Sequence, residues 1–173
     1  RTKLVYGAEY IQNNLNSTAW KYHELVPDTT RPAQTRYADG SLWQSTSGFA
    51  MLHTDLSDRL SASSGVRLNG VHLFTPISFN GFVQDVDLQF LAPSAEIGFT
   101  YFRPTFKYFL NLSTGFRAPN IDDASKVFDS QPGALIIPNP DLHEERLYSV
   151  ELGMKQKIGE RWAVDASFYS SYL

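Results

Sequence analysis

From Leu60 to Asn69 apolar and polar side chains alternate, with Leu60, Ala62, Val66 and Leu68 on one face and Ser61, Ser63, Gly65, Arg67 and Asn69 on the other. A period of two is the signature of a strand with one apolar face. The pattern recurs from Ser94 to Tyr101, where Ala95, Ile97, Phe99 and Tyr101 oppose Ser94, Glu96, Gly98 and Thr100. From Lys107 to Arg117, Tyr108, Leu110, Leu112 and Phe116 oppose Lys107, Asn111, Ser113, Gly115 and Arg117, with Phe109 out of step. From Leu147 to Lys157 the apolar set is Tyr148, Val150, Leu152 and Met154; in the last stretch Val164, Ala166, Phe168 and Tyr172 face away from Asp165, Ser167 and Ser171. Leu4 to Gln12 and Gly48 to Leu56 complete a set of about seven expected strands. A helical reading fails on spacing, and also on residue type, because Gly, Ser, Tyr, Phe and Val stand where Ala, Leu, Glu and Lys are expected of a surface helix.

The connections alternate in length. Leu56 to Arg59, Phe102 to Thr105 and Ile158 to Arg161 are tight turns, whereas Asn13 to Ser47, Gly70 to Gln89 and Ala118 to Glu144 are long polar connections. Connections longer than about 12 to 15 residues are uncommon in compact soluble domains. Strands of about 10 residues with short turns at one end and long loops at the other predict an all-β fold, a partial transmembrane antiparallel β-barrel of the outer-membrane type.

The polar faces support a wet interior, being built of Ser, Gly, Thr and Asn with an occasional Arg67, Glu96 or Glu151. The apolar faces place Tyr6, Tyr10, Tyr101, Tyr108, Tyr148 and Tyr172 towards strand ends, as interfacial aromatic girdles require. A soluble β-sandwich that binds carbohydrate is the competing architecture, with the same apolar faces turned into a core. The composition agrees with strands: 14% of the 173 residues are aromatic, and the apolar runs fall far short of the roughly 20 residues of a membrane helix. A net charge of -3 leaves no positive field for nucleic acid. With no cysteine, thiol chemistry and thiolate metal sites are excluded. Arg1-Thr2-Lys3-Leu4 shows neither an initiating Met nor a basic segment leading into an apolar one, so residues 1–173 are expected to be one piece of a larger β-barrel domain.

Thr114-Gly115-Phe116-Arg117-Ala118-Pro119-Asn120, followed by Asn139-Pro140-Asp141-Leu142 and then Glu144 or Glu145, resembles the barrel of a TonB-dependent outer-membrane receptor. In that family a Gly-Phe-Arg-Ala-Pro segment ends one strand, an extracellular loop follows, and an Asn-Pro-Asn/Asp-Leu segment leads into the next. The resemblance extends to Ser57-Asp58-Arg59-Leu60 and Gly65-Val66-Arg67, and to Tyr148 to Gly153 and Trp162 to Tyr169. It implies a plugged barrel of about 22 strands in the outer membrane of a Gram-negative bacterium. It also implies import of a scarce nutrient, an iron chelate (siderophore) first, with haem, cobalamin or oligosaccharide as other cargoes. The implied energy partner, TonB, couples through an N-terminal plug part that is not in these residues. No cofactor and no enzymatic activity are implied.

Read without the family, the motif is a strand end. Pro119 has no N–H for the ladder, and the residue before it is pushed to extended geometry; Pro138 and Pro140 act alike on the return side. Arg117, on the polar face at that end, points into the lumen near the outer mouth, where it either meets a ligand or pairs with a neighbouring carboxylate. Trp20, Tyr22 and Trp43 in the first long connection either stack on a ligand or sit at the membrane surface. Asp122 and Asp123, with Asp129, and the pair Asp85 and Asp87, read as loop oxygens able to meet a cation or as solvated acids. His23, His53, His72 and His143 have no metal-ligand spacing, and residues 120–138 contain no His, which disfavours haem. His53 and Asp55 share a strand face, but no Gly-x-Ser-x-Gly turn supplies a nucleophile.

Overall fold

The strand that begins at Leu60 runs well past Asn69, to Phe79, and the strands are longer than the periodicity alone suggests. A computed structural model describes residues 1–22, 30–33, 35, 37–79, 82–125, 128–131, 134–136, 139 and 141–173. In chain order the elements are β1 (Thr2–Leu15), β2 (Ala19–Tyr22), β3 (Thr30–Ala33), β4 (Ser41–Ser57), β5 (Leu60–Phe79), β6 (Phe82–Arg103), β7 (Phe106–Arg117), α1 (Ile121–Ser125), β8 (Phe128–Gln131), β9 (Ala134–Ile136), β10 (Glu145–Ile158) and β11 (Trp162–Tyr172). Seven of the strands form one antiparallel sheet in the order β1-β4-β5-β6-β7-β10-β11, each paired with its neighbour along the chain, while β2-β3 and β8-β9 are separate two-stranded hairpins. All seven expected strands are present. No second large sheet packs on this one among the described residues, so the sandwich is not the architecture.

One correction concerns Gly70 to Gln89, expected as a long connection. It is the distal half of the β5–β6 hairpin, whose ladder runs without a break from Leu60↔Tyr101 to Phe79↔Phe82. The reason lies in a change of phase. As far as Leu68 the apolar side chains of β5 point outward; from Val71 onward Val71, Leu73 and Ile77 occupy the opposite face and are buried. In β6 the same inversion separates outward Leu91 from inward Leu88 and Val86. A strand leaving lipid for water must exchange its faces in this way, because its outward side now meets solvent.

The short turns descend the ladder in equal steps. The β4–β5 turn closes at Ser57 and Leu60. Leu60 pairs with Tyr101, yet the next turn closes two residues later, at Arg103 and Phe106. Phe106 pairs with Gln156, and the third turn again closes two residues later, at Ile158 and Trp162. One residue of stagger per strand, about 3.4 Å of rise against about 4.8 Å of strand spacing, corresponds to a tilt of about 35°. That is the tilt of a closed membrane barrel.

With this stagger the aromatic residues sort into two belts on the outward face. Tyr101, Phe106, Tyr108 and Trp162 lie beside the short turns, and Tyr10, Phe116, Tyr148 and Tyr172 lie about ten residues higher. Ten residues at that tilt span about 28 Å, close to the roughly 25 Å apolar band of outer-membrane barrels. Between the belts the outward face carries Leu52, Val66, Ile97, Leu112, Val150, Leu152 and Phe168, all solvent-accessible in the chain alone. Tyr6, expected at a strand end, sits four residues below Tyr10, inside the band. Above the upper belt the same face turns polar: Gln44 Nε2 donates to the Tyr10 hydroxyl and to Gln12 Oε1, both at 3.2 Å, and His72 lies 2.9 Å from Asp87.

The inward face is polar and internally paired. Arg67 donates to Glu9 at 2.8 Å and to Asn69 at 2.9 Å, Asn111 donates to Glu151 at 3.2 Å, and Lys155 meets Asp165. Phe109, out of step in the sequence, lies on this face over Gly153: a Cβ there would stand 2.1 Å from the ring. Phe49 covers Gly7 in the same manner, with the Arg67 guanidinium 5.9 Å from its ring centroid. Each glycine leaves the gap that its cross-strand aromatic partner fills.

Two consequences are measurable on the full-length protein in lipid vesicles. Leu112→Arg, at mid-band on the outward face, should cost about 2–4 kcal/mol in urea unfolding, and the adjacent inward Ser113→Arg far less. Gly153→Ala should cost about 1–3 kcal/mol by overpacking against Phe109, and most of that loss should disappear in a Phe109→Leu background.

Candidate functional site at the outer mouth

β7 ends at Arg117, where Ala118 and Pro119 stop the ladder. The chain then turns into α1 through a reciprocal cap. Asp123 N–H donates to Asn120 Oδ1 at 2.9 Å, and Asn120 N–H donates to Asp123 Oδ2 at 3.1 Å. Arg117 clasps both sides of the connection. Its guanidinium donates to Asp123 Oδ2 at 2.8 Å and to both carboxylate oxygens of Glu145, the first residue of β10, at 3.2 Å. One cation thus ties the end of β7, the helix cap and the start of the next strand.

α1 follows β7 but does not pack on it. Its contacts are with β5 and β4, so residues 118–125 cross over β6 at the mouth. Ala124 is fully buried among Leu73, Ile77, Val86 and Leu88, and Ile121, Trp43, Phe90 and Leu142 pack around them. The returning segment joins the same cluster: Asp141 N–H donates to Asn139 Oδ1 at 2.9 Å, turning the chain so that Leu142 reaches the core. Arg117, Ala118, Pro119, Asn120, Asn139 and Leu142 therefore belong to one joint, while Gly115 and Phe116 stay in the β7 ladder opposite Leu147 and Arg146. Pro138 and Pro140 lie outside the described residues.

A groove of about 480 Å³ opens between α1 and the wall, lined by Asn13, Leu15, Tyr37, Trp43, Asn120, Ile121 and Asp122. It brings together two of the sequence-predicted residues, Trp43 and Asp122. Trp43, expected in a loop, is an inward-facing residue of β4. Trp20 and Tyr22 stand apart on the β2–β3 hairpin, both about two-thirds exposed. Asp123 is committed to Arg117 and the cap, Asp87 to His72, and Asp129 falls on β8; no group of metal-ligating side chains gathers among the described residues. His23 lies outside the described residues. His53 is 3.7 Å from Asp55, and no hydroxyl hydrogen-bonds to it among the described residues.

Sequence reasoning missed Glu145 as the partner of Arg117, and missed Tyr37, Asn13 and the apolar pair Ile121 and Ala124. The last carried a signal: Ile-x-x-Ala after an Asn cap gives one turn of helix a single apolar side. Arg117→Gln should raise the rate of limited proteolysis within 118–144 several-fold while leaving the unfolding midpoint of the barrel nearly unchanged, and Arg117→Lys should fall between the two.

The same wall occurs in known proteins. The family model described as TonB dependent receptor-like, beta-barrel, matches residues 1–173. Among solved structures, the Serratia marcescens hemophore receptor HasR, a double mutant in complex with its hemophore HasA and heme, superposes with a TM-score of 0.77 at 14% identity, covering 98% of this chain and 30% of HasR. The copper transporter OprC gives 0.76 at 16% identity, covering 98% of this chain and 27% of OprC. No curated protein sequence gives a significant match. This chain thus spans less than a third of either structural relative, and at these identities the likeness is one of fold. With its tilted ladder, its two aromatic belts and a family match along its whole length, the chain belongs to the β-barrel of the TonB-dependent receptors.

Proposed function

We propose that residues 1–173 are one stretch of the barrel wall of a Gram-negative outer-membrane receptor that imports an iron chelate, using energy delivered by TonB to a plug part outside these residues. The observation that carries this reading is the groove between α1 and the β1–β4 wall. Its lining sets the aromatic faces of Trp43 and Tyr37 beside the polar residues Asn13, Asn120 and Asp122 and contains no histidine. Such a lining suits an organic, oxygen-rich chelate carried whole, better than a bare metal ion held by side chains. The absence of His from residues 120–138 and the exposed position of His143 outside the groove weigh against haem.

In a strain lacking the native gene and complemented with the full-length receptor, iron-limited growth on a panel of ferric siderophores should be restored for at least one chelate, and lost again without TonB. Trp43→Phe and Asp122→Ala should each weaken binding of that chelate about tenfold at unchanged surface level, the usual scale for truncating a central contact. Restoration by haem or by a copper salt, and by no ferric chelate, would replace the iron-chelate reading.

A further inference from the structure

The outward face beside the short turns gathers two cations that the wall itself does not compensate. Arg103, the last residue of β6, donates its Nε to the Tyr101 hydroxyl at 2.8 Å, and its guanidinium stands 5.8 Å from the Tyr101 ring centroid. Arg59, in the β4–β5 turn, is held against β6 by a 2.9 Å bond from Phe102 N–H to the Arg59 carbonyl, which sets it beside the Leu60↔Tyr101 pair. Elsewhere the arginines of the sheet meet acids: Arg67 meets Glu9, Arg117 meets Asp123 and Glu145, and Arg146 meets Glu144. Among the described residues no carboxylate lies within ion-pair distance of Arg59 or Arg103.

Beside this pair lies an apolar shelf. The rings of Tyr101 and Phe106 are 6.1 Å apart and those of Phe106 and Tyr108 are 5.1 Å apart, all on the face that carries the lipid band. Two neighbouring arginines at the rim and an aromatic ledge reaching into the band are complementary to one kind of molecule, a lipid with an anionic phosphate head. The planar forks match phosphate oxygens in pairs, and a weakly hydrated guanidinium gains more from such contact at a bilayer surface than in open water.

We propose that Arg59 and Arg103 hold the phosphate of an anionic phospholipid in the leaflet on the short-turn side, with an acyl chain lying against the Tyr101, Phe106 and Tyr108 rings. The assignment rests on the membrane placement of the family's barrel and is independent of the imported ligand.

The test uses the full-length receptor in phosphatidylcholine vesicles with and without phosphatidylglycerol. Native mass spectrometry of the wild type from mixed vesicles should show retained phosphatidylglycerol, and its thermal midpoint should be higher there than in phosphatidylcholine alone. In the double variant Arg59→Gln, Arg103→Gln retention should fall about tenfold and the difference in midpoint should vanish, while Arg59→Lys, Arg103→Lys keeps part of both. Undiminished retention in the glutamine variant overturns the proposal. Should that variant fail to insert, the wild type decides: equal retention of the two lipids overturns the proposal, and preference for phosphatidylglycerol supports it. Equal stabilisation of the wild type in phosphatidylcholine by added inorganic phosphate would show that a free anion, and not a lipid, fills the site.

Discussion

Backbone hydrogen bonding in lipid is the constraint on which this structure depends. Hydrocarbon offers no partner to a peptide N–H or C=O, and each one left unsatisfied costs several kcal/mol, so every strand across the band must be laddered on both sides. The ladder of the seven sheet strands is the local answer, and where the β6–β7 pairing ends at Glu96↔Ser113 the Thr114 hydroxyl accepts the Ala95 N–H instead. Once the ladder is continuous the remaining geometry follows: closure requires tilt, tilt appears as one residue of stagger per strand, and the stagger sets where each turn and each aromatic belt must fall. The alternation of side chains then needs only two chemistries, apolar outward and polar inward.

The outer mouth obeys a different solvent. Above the upper belt water replaces lipid outside, the outward face becomes polar, and apolar side chains collect inside the wall. Trp43, Leu73, Ile77, Val86 and Leu88 make a small dry core there, and the segment after β7 supplies Ile121, Ala124 and Leu142 to close it. The Gly-Phe-Arg-Ala-Pro-Asn and Asn-Pro-Asp-Leu segments are thus two halves of a joint. The first ends a strand, caps a helix and sets Arg117 between two carboxylates; the second turns the chain to deliver Leu142. The groove that lines up Trp43 and Asp122 exists because this joint carries α1 sideways over β6.

Much of the wall was legible from periodicity because a strand with lipid on one side and water on the other admits one pattern. The seven strands, the three tight turns and the polar inner face all follow from it. Where legibility failed, the solvent had changed. Gly70 to Gln89 reads as a loop only if apolar residues are sought on the same face as before; Val71, Leu73 and Ile77 continue the period of two with its phase reversed. Phe109 broke the pattern for another reason, its ring being the missing side chain of Gly153. The joint was harder still: Glu145 lies far along the chain from Arg117, and only the register of β7 on β10 brings them opposite.

That register has a consequence for how such a wall can change. A single residue added within β7 would turn every later side chain to the other face, sending Arg117 to the outside of the wall and Phe116 into the wet interior, away from Glu145 and the cap. Added in pairs, residues would keep the faces but lift the mouth of this strand above its neighbours. Length can therefore drift freely only beyond the strand ends, in the connections, so the wall and the outer mouth are free to evolve at different rates within one continuous chain.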